Sequence, residues 1–222
     1  MKRLIKNIIF SIFRFIPWLS PIFYTRGMQT PCKPWMFLLQ KILGFNRAAY
    51  WPVHFTSKVS SPESIYSGID VSPGYMPGCY IYGTAGIYIG DYTQIAANVG
   101  IMSGNHDVYD SRKTVDIDTP VVIGNYCWIG MNAVILPQVV LGDHTIVAAG
   151  AIVTKSFPEG YCVLAGVPAK VIRSLDREKV VKFKNDYEYN GYIRHKEFEQ
   201  FRNKVLKIKP YTEIRKQYNL EQ

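Results

Sequence analysis

The sequence predicts an all-β solenoid, on two observations: an aliphatic residue recurs every six positions, and a single polar stretch breaks that period. Ile89, Ile95 and Ile101 mark a first run, and Ile123, Ile129, Ile135, Leu141, Val147 and Val153 a second. Gly90, Gly124, Gly130 and Gly142 follow several of these directly. Six is neither the helical period nor the alternation of a simple strand. It fits a short strand and a tight corner, with the aliphatic side chain pointing inward in each unit. Three units close a triangular coil of about 18 residues, and each coil buries its apolar face only by stacking on the next. Gly90-Asp91, Gly124-Asn125 and Gly142-Asp143 supply turn-tolerant residues where the backbone must bend. Carried backward, the same phase reaches Val71, Ile65 and Val59, with Pro77 and Gly83 as irregular members.

Ile101 and Ile123 are 22 positions apart, which is not a multiple of six. The stretch between them holds Gly104-Asn105-His106-Asp107, then Tyr109, Asp110, Arg112 and Lys113. It predicts a loop over residues 102–120 that protrudes from the coil, and function is expected on such an insertion. The histidines are His54, His106, His144 and His195. A lone histidine is more often structural than catalytic, but the polar loop marks His106 as the candidate base. His144, at a repeat corner, is expected to be exposed, and Cys127 beside Trp128 to be core packing. Cys32, Cys79, Cys127 and Cys162 form no C-x-x-C pair, which argues against a zinc site or disulfide framework and suits a reducing cytoplasm.

The chain has 222 residues and a net charge of +9, enough for one substantial core with appendages. Residues 1–62 hold nine Lys or Arg and no Asp or Glu, while the rest is balanced. Residues 63–222 therefore lack the basic surplus of a nucleic-acid-binding face. Leu4, Ile5, Ile8, Ile9, Ile12, Phe13 and Ile16 recur at helical spacing among basic residues. Arg14, Pro17 and Pro21 interrupt the run before it reaches spanning length. A peripheral membrane contact through residues 1–24 and a helix packed on the core both satisfy the pattern. Phe198, Phe201, Val205 and Ile208 predict amphipathic C-terminal helices ending near Pro210. The expected organisation is an apolar, basic N-terminal segment (1–55), a solenoid (56–173) and a helical C-terminal region (174–222).

The blocks IGDYTQIAANVGIMSGNHD, VVIGNYCWIGMNAVILP, GDHTIVAAGAIVTKSFP and AGVPAKVIR, in this order, resemble the hexapeptide-repeat acetyltransferases that modify sugars. The resemblance covers Ile89 to Arg173 and includes the maltose, galactoside and surface-polysaccharide O-acetyltransferases. It implies a left-handed parallel β-helix and a homotrimer with sites between neighbouring subunits. It also implies acetyl-CoA as co-substrate with no metal. Carried over by position, His106 is the base, the acetyl group meets the backbone at Met131, and the cofactor runs past Ala149, Thr154 and Lys155 towards Lys170 and Arg173. Where the galactoside enzymes hold the sugar with an Asn and an Asp, this chain has Met76 and Thr84, so the acceptor should differ. Tyr75, Tyr80 and Tyr82 suit stacking on a sugar ring, and equally suit exposed positions on a solenoid face. The acceptor side is therefore assigned to Tyr82, Thr84 and Asp107.

Acetyl transfer to a hydroxyl needs a base, stabilisation of the tetrahedral oxyanion and a proton for the departing thiolate. One imidazole can supply the first and third, and a backbone N–H at Met131 the second. Asp107 or a backbone carbonyl would fix the tautomer of His106. The expected function is O-acetylation of a saccharide, lipid-linked or free, in surface-polysaccharide biosynthesis, in the cytoplasm or at the inner membrane face. The alternatives are N-acetylation of an amino sugar, a serine-type acetyltransferase and, more distantly, a zinc β-helix of the carbonic anhydrase type, which needs three convergent histidines.

Overall fold

The computed structural model describes residues 13–114 and 119–220. The apolar positions Leu4 to Ile12 and loop residues 115–118 lie outside the described residues. Three parallel sheets form the body. Sheet 1 holds β1 (Lys58–Ser60), β3 (Tyr80–Tyr82), β6 (Gly100–Met102), β9 (Val134–Ile135) and β12 (Ile152–Val153), in that order. Sheet 2 holds β2 (Ile65–Ser67), β4 (Ile87–Ile89), β7 (Val121–Ile123) and β10 (Val140–Leu141). Sheet 3 holds β5 (Gln94–Ile95), β8 (Trp128–Ile129), β11 (Ile146–Val147) and β13 (Cys162–Ala165), and closes with the antiparallel β14 (Lys170–Ser174). The chain visits the sheets in rotation, so its corners stack into three edges: the first between sheets 1 and 2, the second between 2 and 3, the third between 3 and 1.

The six-residue period appears as columns of inward side chains. Ile81, Ile101, Ile135 and Val153 fill sheet 1, Ile89, Ile123 and Leu141 sheet 2, and Ile129, Val147 and Leu164 sheet 3, all without solvent exposure. Each such side chain contributes about 1.5–3 kcal/mol through burial. The backward extension of the phase needs correction. Val59 pairs with Ile81 and Ile65 with Ile87, so Ile89 stands over Ser67 rather than Ile65. Extra residues at the corners of the early coils, including the 3-10 turn Pro62–Ser64, shift the register there. Pro77 and Gly83 therefore belong to corners and not to the core columns.

The second edge carries a side-chain ladder. Asp91 Oδ1 accepts the Ile69 N–H (2.8 Å), Asn125 Oδ1 the Asp91 N–H (2.9 Å), and Asp143 Oδ1 the Asn125 N–H (2.8 Å). The glycine before each of these residues lets the coils approach. A Cβ on Gly124 would lie 2.6 Å from the Asp143 backbone nitrogen. Beside this ladder runs a stack of rings: Tyr92 on Tyr126 (5.3 Å), Tyr126 on His144 (5.0 Å) and His144 on Tyr161 (5.0 Å). All four residues have positive φ. His144 is therefore buried, not exposed as its corner position suggested.

The outward face of sheet 2 is covered by the chain's own C-terminal region. Tyr66 and Tyr88, central in their strands, stack on Tyr211 at 4.7 and 6.3 Å. The Tyr211 hydroxyl donates to the Ile123 carbonyl at 3.2 Å. Phe198 packs on Tyr50 and Tyr66. The helix His195–Val205 ends before Ile208, and Pro210 caps a second helix, Tyr211–Gln217, rather than ending the helical region. Val205 faces solvent. Both Arg215 terminal nitrogens reach the Asp143 carboxylate, at 2.8 and 3.0 Å, and this pair is largely buried. At the other end, Asp70 accepts the Gln29 and Thr30 N–H groups and the Asn185 amide, tying both chain extensions to the first coil.

Candidate active site

β6 ends at Met102 and β7 begins at Val121, so the insertion leaves from the first edge. Its root is fixed by Ser103, which is fully buried. The Ser103 N–H and hydroxyl both donate to the Tyr82 carbonyl (2.8 and 3.1 Å), and the hydroxyl accepts the Ala85 N–H (3.0 Å). Gly104 then passes against the preceding corner. A Cβ there would stand 2.3 Å from Thr84 Oγ1 and 2.8 Å from Tyr82 Cε1, so only glycine fits without displacing both. Tyr82, Thr84 and the start of the His106 loop are thus in contact.

Above this root the loop folds as a short hairpin. His106 bridges Thr114, and the Asp107 N–H donates to the Lys113 carbonyl at 3.0 Å. Asn105 Oδ1 accepts the His106 N–H. Asp107 Oδ1 accepts the N–H groups of Tyr109 (2.8 Å) and Asp110 (2.9 Å), closing the tip. Arg112 beside Asp110 holds that carboxyl below its usual range. Asp107 is therefore a turn residue, and its contacts run to the tip rather than to the His106 ring. The ring is exposed and has no hydrogen-bond partner among the described residues. At the tip Val108 and Tyr109 are 85% and 97% exposed. The His106 backbone is fixed while its ring is free.

The positions expected to meet the cofactor divide between two edges. Met131 and Ala149 stack on the third edge, where the Gly150 N–H donates to the Met131 carbonyl and Gly130 lies against the Ala149 nitrogen. The N–H groups of Met131 and Ala149 donate to no other group among the described residues. Lys170 begins β14 beside this column, since the Ala169 N–H donates to the Ile152 carbonyl, and Arg173 lies three residues further along the same exposed strand. Thr154 and Lys155 follow β12 and stand on the first edge, below the His106 loop, with the Lys155 ammonium over the Phe157 ring. At about 3.3 Å per residue, the two edges are roughly 15–20 Å apart across sheet 1. One chain does not bring His106 and Met131 together.

Other expected residues are also placed. Met76 lies by the third edge, with its carbonyl accepting the Ser57 hydroxyl. Tyr80 and Tyr82 stack on each other at 6.2 Å on the outer face of sheet 1. Tyr75 is buried with its hydroxyl on the Pro31 carbonyl, which removes it from any sugar-stacking role. Cys127 is buried in the core, and burial pushes its thiol up to about 12. His144 is locked in the second-edge stack, so it cannot converge with His106 on a metal. Two residues not selected from the sequence matter at the loop, Ser103 and Gly104. Their signal was a small pair directly after the strand that holds Ile101, the last inward residue of the run. A cleft of about 400 Å³ adjoins Thr84, lined also by Gly86, Pro120, Lys207, Lys209 and Gln217. A second cleft of about 440 Å³, between Tyr24, Tyr187, Glu188 and Arg194, contains none of the loop residues.

Short stacked strands recurring every six residues, with a histidine-bearing loop on one edge, define a hexapeptide-repeat protein. Comparison with known proteins agrees. The family model for bacterial transferase hexapeptide (six repeats) matches residues 120–155. The putative colanic acid biosynthesis acetyltransferase WcaF of Escherichia coli is 37% identical over 63% of this chain and 74% of its own length. Galactoside O-acetyltransferase of Escherichia coli is 44% identical over 48% of this chain and 53% of its own. The chain thus spans about half the length of that relative. A solved galactoside acetyltransferase in complex with coenzyme A is 33% identical, covers 60% of this chain and 70% of its own, and superposes with a TM-score of 0.48. The chain belongs to the hexapeptide-repeat acetyltransferase family.

Proposed function

We propose that the protein is an acetyl-CoA-dependent O-acetyltransferase acting on a saccharide hydroxyl in surface-polysaccharide biosynthesis. The observation that carries this reading is His106, held on a fixed backbone with a free ring, on an insertion rooted against Tyr82 and Thr84. In the reaction the imidazole takes the acceptor hydroxyl proton as the oxygen attacks the thioester carbonyl. The tetrahedral oxyanion faces the unpaired Met131 N–H. The C–S bond then breaks, and the thiolate leaves with the proton returned by the imidazolium. No acyl-enzyme is needed.

The separation of His106 from Met131 leads to the second part of the reading, a homotrimer of left-handed coils. In it the first edge of one subunit, with His106, Thr154 and Lys155, faces the third edge of its neighbour, with Met131, Ala149 and Lys170. The exposed Val108 and Tyr109 would lie against that neighbour. The acetyl group would sit by Met131, the pantetheine by Ala149, and the CoA phosphates by Lys155, Lys170 and Arg173. WcaF is by name a colanic acid biosynthesis protein, and that motivates the acceptor class. Tyr82 and Thr84 would contact the sugar. Contact of residues 1–24 with the inner membrane face belongs to the same reading.

The test is acetyl transfer from acetyl-CoA to a panel of nucleotide sugars and lipid-linked saccharides. An ester product, lost in mild base, and its loss in His106→Ala are expected. Full activity in that variant would remove His106 as the base. A base-stable amide would move the reaction to amino sugars. Light scattering should give three chains per particle.

A further inference from the structure

The N-terminal cap of the solenoid carries apolar side chains that are exposed among the described residues. The helix Pro34–Phe37 continues as a π-helical turn, Leu38–Ile42. Met36 and Gln40 point inward and are buried, and the Gln40 amide donates to the carbonyls of Asn46, Ala49 and Trp51. The opposite side presents Trp35, Leu38 and Ile42. Ile42 and Leu43 are 63% and 61% exposed, and Leu38, Phe45, Phe55 and Trp35 between 42% and 47%. The three rings among them are linked through His54. Trp35 meets His54 at 5.6 Å, His54 stacks on Phe55 at 4.6 Å, and Phe55 meets Phe45 at 6.3 Å.

The surroundings of this surface are basic. Lys33, Arg47 and Lys58 are exposed around it, and Lys33 is near enough to His54 to help hold its imidazole below the usual range, behind the larger effect of burial. Lys41 is engaged with the Arg47 and Ala49 carbonyls and belongs to the scaffold. No Asp or Glu occurs anywhere in residues 1–62. A protein partner of ordinary composition brings both signs of charge. A surface that is apolar in the middle and cationic throughout its rim instead matches a bilayer with anionic headgroups, with aromatic rings at headgroup level and Lys and Arg on phosphates. No described helix is long and apolar enough to cross a membrane, so the contact is interfacial.

We propose that Trp35, Leu38, Ile42, Leu43, Phe45 and Phe55 form a docking face for an anionic lipid surface, with Lys33, Arg47 and Lys58 as its electrostatic rim. This face adjoins residues 1–24, because Trp18 packs on Phe37 at 5.6 Å, and it takes no part in the catalytic reading. It inserts to about 5–10 Å, the depth of interfacial elements.

The experiment is cosedimentation of the full chain with vesicles of phosphatidylcholine alone or with 30% phosphatidylglycerol (roughly the anionic content that gives a strong surface potential). Binding to the anionic vesicles only, weakened by salt, is expected. Arg47→Ala with Lys58→Ala should lower the partition coefficient about 25-fold, at about fivefold per charge. Leu38→Ser, Ile42→Ser and Leu43→Ser together should lower it about tenfold or more, with residues 1–24 intact and the acetyl-transfer rate in solution unchanged. If the triple variant does not fold, quenching of tryptophan fluorescence by brominated lipid, reduced in Trp35→Phe, reads the same insertion. Wild-type binding by the variants, equal binding to neutral vesicles or no binding would each overturn the proposal. So would a triple variant that falls from a larger particle to single chains, since the face would then be a contact between copies.

Discussion

The first and second edges are built from the same repeat and have opposite characters. On the second, the groups are buried or half-buried and, apart from His144 Nε2, paired or stacked. Asp91, Asn125 and Asp143 pass hydrogen bonds from coil to coil, Tyr92, Tyr126, His144 and Tyr161 stack beside them, and Arg215 closes the row. On the first, the coil opens into a loop whose root is fixed by Ser103 while its exposed histidine ring has no hydrogen-bond partner among the described residues. Rigid stacking on one edge lets the chain hold an unsatisfied group at a defined position on another. Substitutions on the first edge should therefore affect rate, and those on the second edge or the covered sheet 2 should affect stability.

The largest expected effect is on the loop. His106→Ala should lower kcat/KM by about 10²–10⁴-fold, the usual range for a general base. Its thermal midpoint should stay at the wild-type value, because the ring is exposed and has no hydrogen-bond partner among the described residues. A large drop in midpoint would mean that the loop is structural. Next comes the cover of sheet 2. Phe198 is almost fully buried against Tyr50 and Tyr66, and Phe198→Ala should cost about 3–5 kcal/mol in urea unfolding. A cost below 1 kcal/mol would show that the C-terminal helix is not part of the cooperative unit.

Asp143→Ala should destabilise by about 3 kcal/mol, because it leaves Arg215 largely buried without its carboxylate and the Asn125 N–H without an acceptor. Asp143→Ala with Arg215→Met should recover part of that loss, and no recovery would count against the ion pair. The smallest effect is pH-dependent. Burial holds His144 below the usual imidazole range, with Lys182 adding to this and Asp143 opposing it. The native state keeps the ring neutral, while the unfolded chain takes up a proton near pH 6.5. Its contribution is thus full above that pH and lost as pH falls towards the native pKa, at most about 1.4 kcal/mol per unit. The fall in urea midpoint between pH 7.5 and 5.5 should be smaller in His144→Phe, and an equal fall would assign it elsewhere.

The second half of the solenoid was legible because Ile123 to Val153 has no extra residue at any corner. There sequence spacing equals spatial spacing. In the early coils corner insertions shift the register, so Val59 and Ile65 fell into phase with Ile89 by coincidence. His144 was misread because its burial comes from rings one coil away on each side. Tyr126 and Tyr161, at close to the coil spacing, were the available signal. The cover of sheet 2 was not legible at all. Tyr66 and Tyr88 point outward from their strands, and the ring that buries them, Tyr211, is more than 120 residues away in the chain. At the candidate site, the polar break in the period picked out His106. The tie from Ser103 to Tyr82 depends on two corners meeting in space, which no local pattern records.

The ladder on the second edge has a consequence for how such a chain can change length. Each rung, a Gly followed by Asp or Asn, accepts an N–H from the coil before through its side-chain oxygen, and Asp91 and Asn125 also donate their own N–H to the coil after. Asn125 and Asp143 accept in the same way, 18 positions apart, and Asp143 alone also holds Arg215. Duplicating or excising residues 125–142 would rejoin one rung to another, so the ladder itself tolerates whole-coil changes, but the C-terminal clasp spans from Tyr66, Tyr88 and Ile123 to Asp143 and would have to move its Arg215 anchor by one coil.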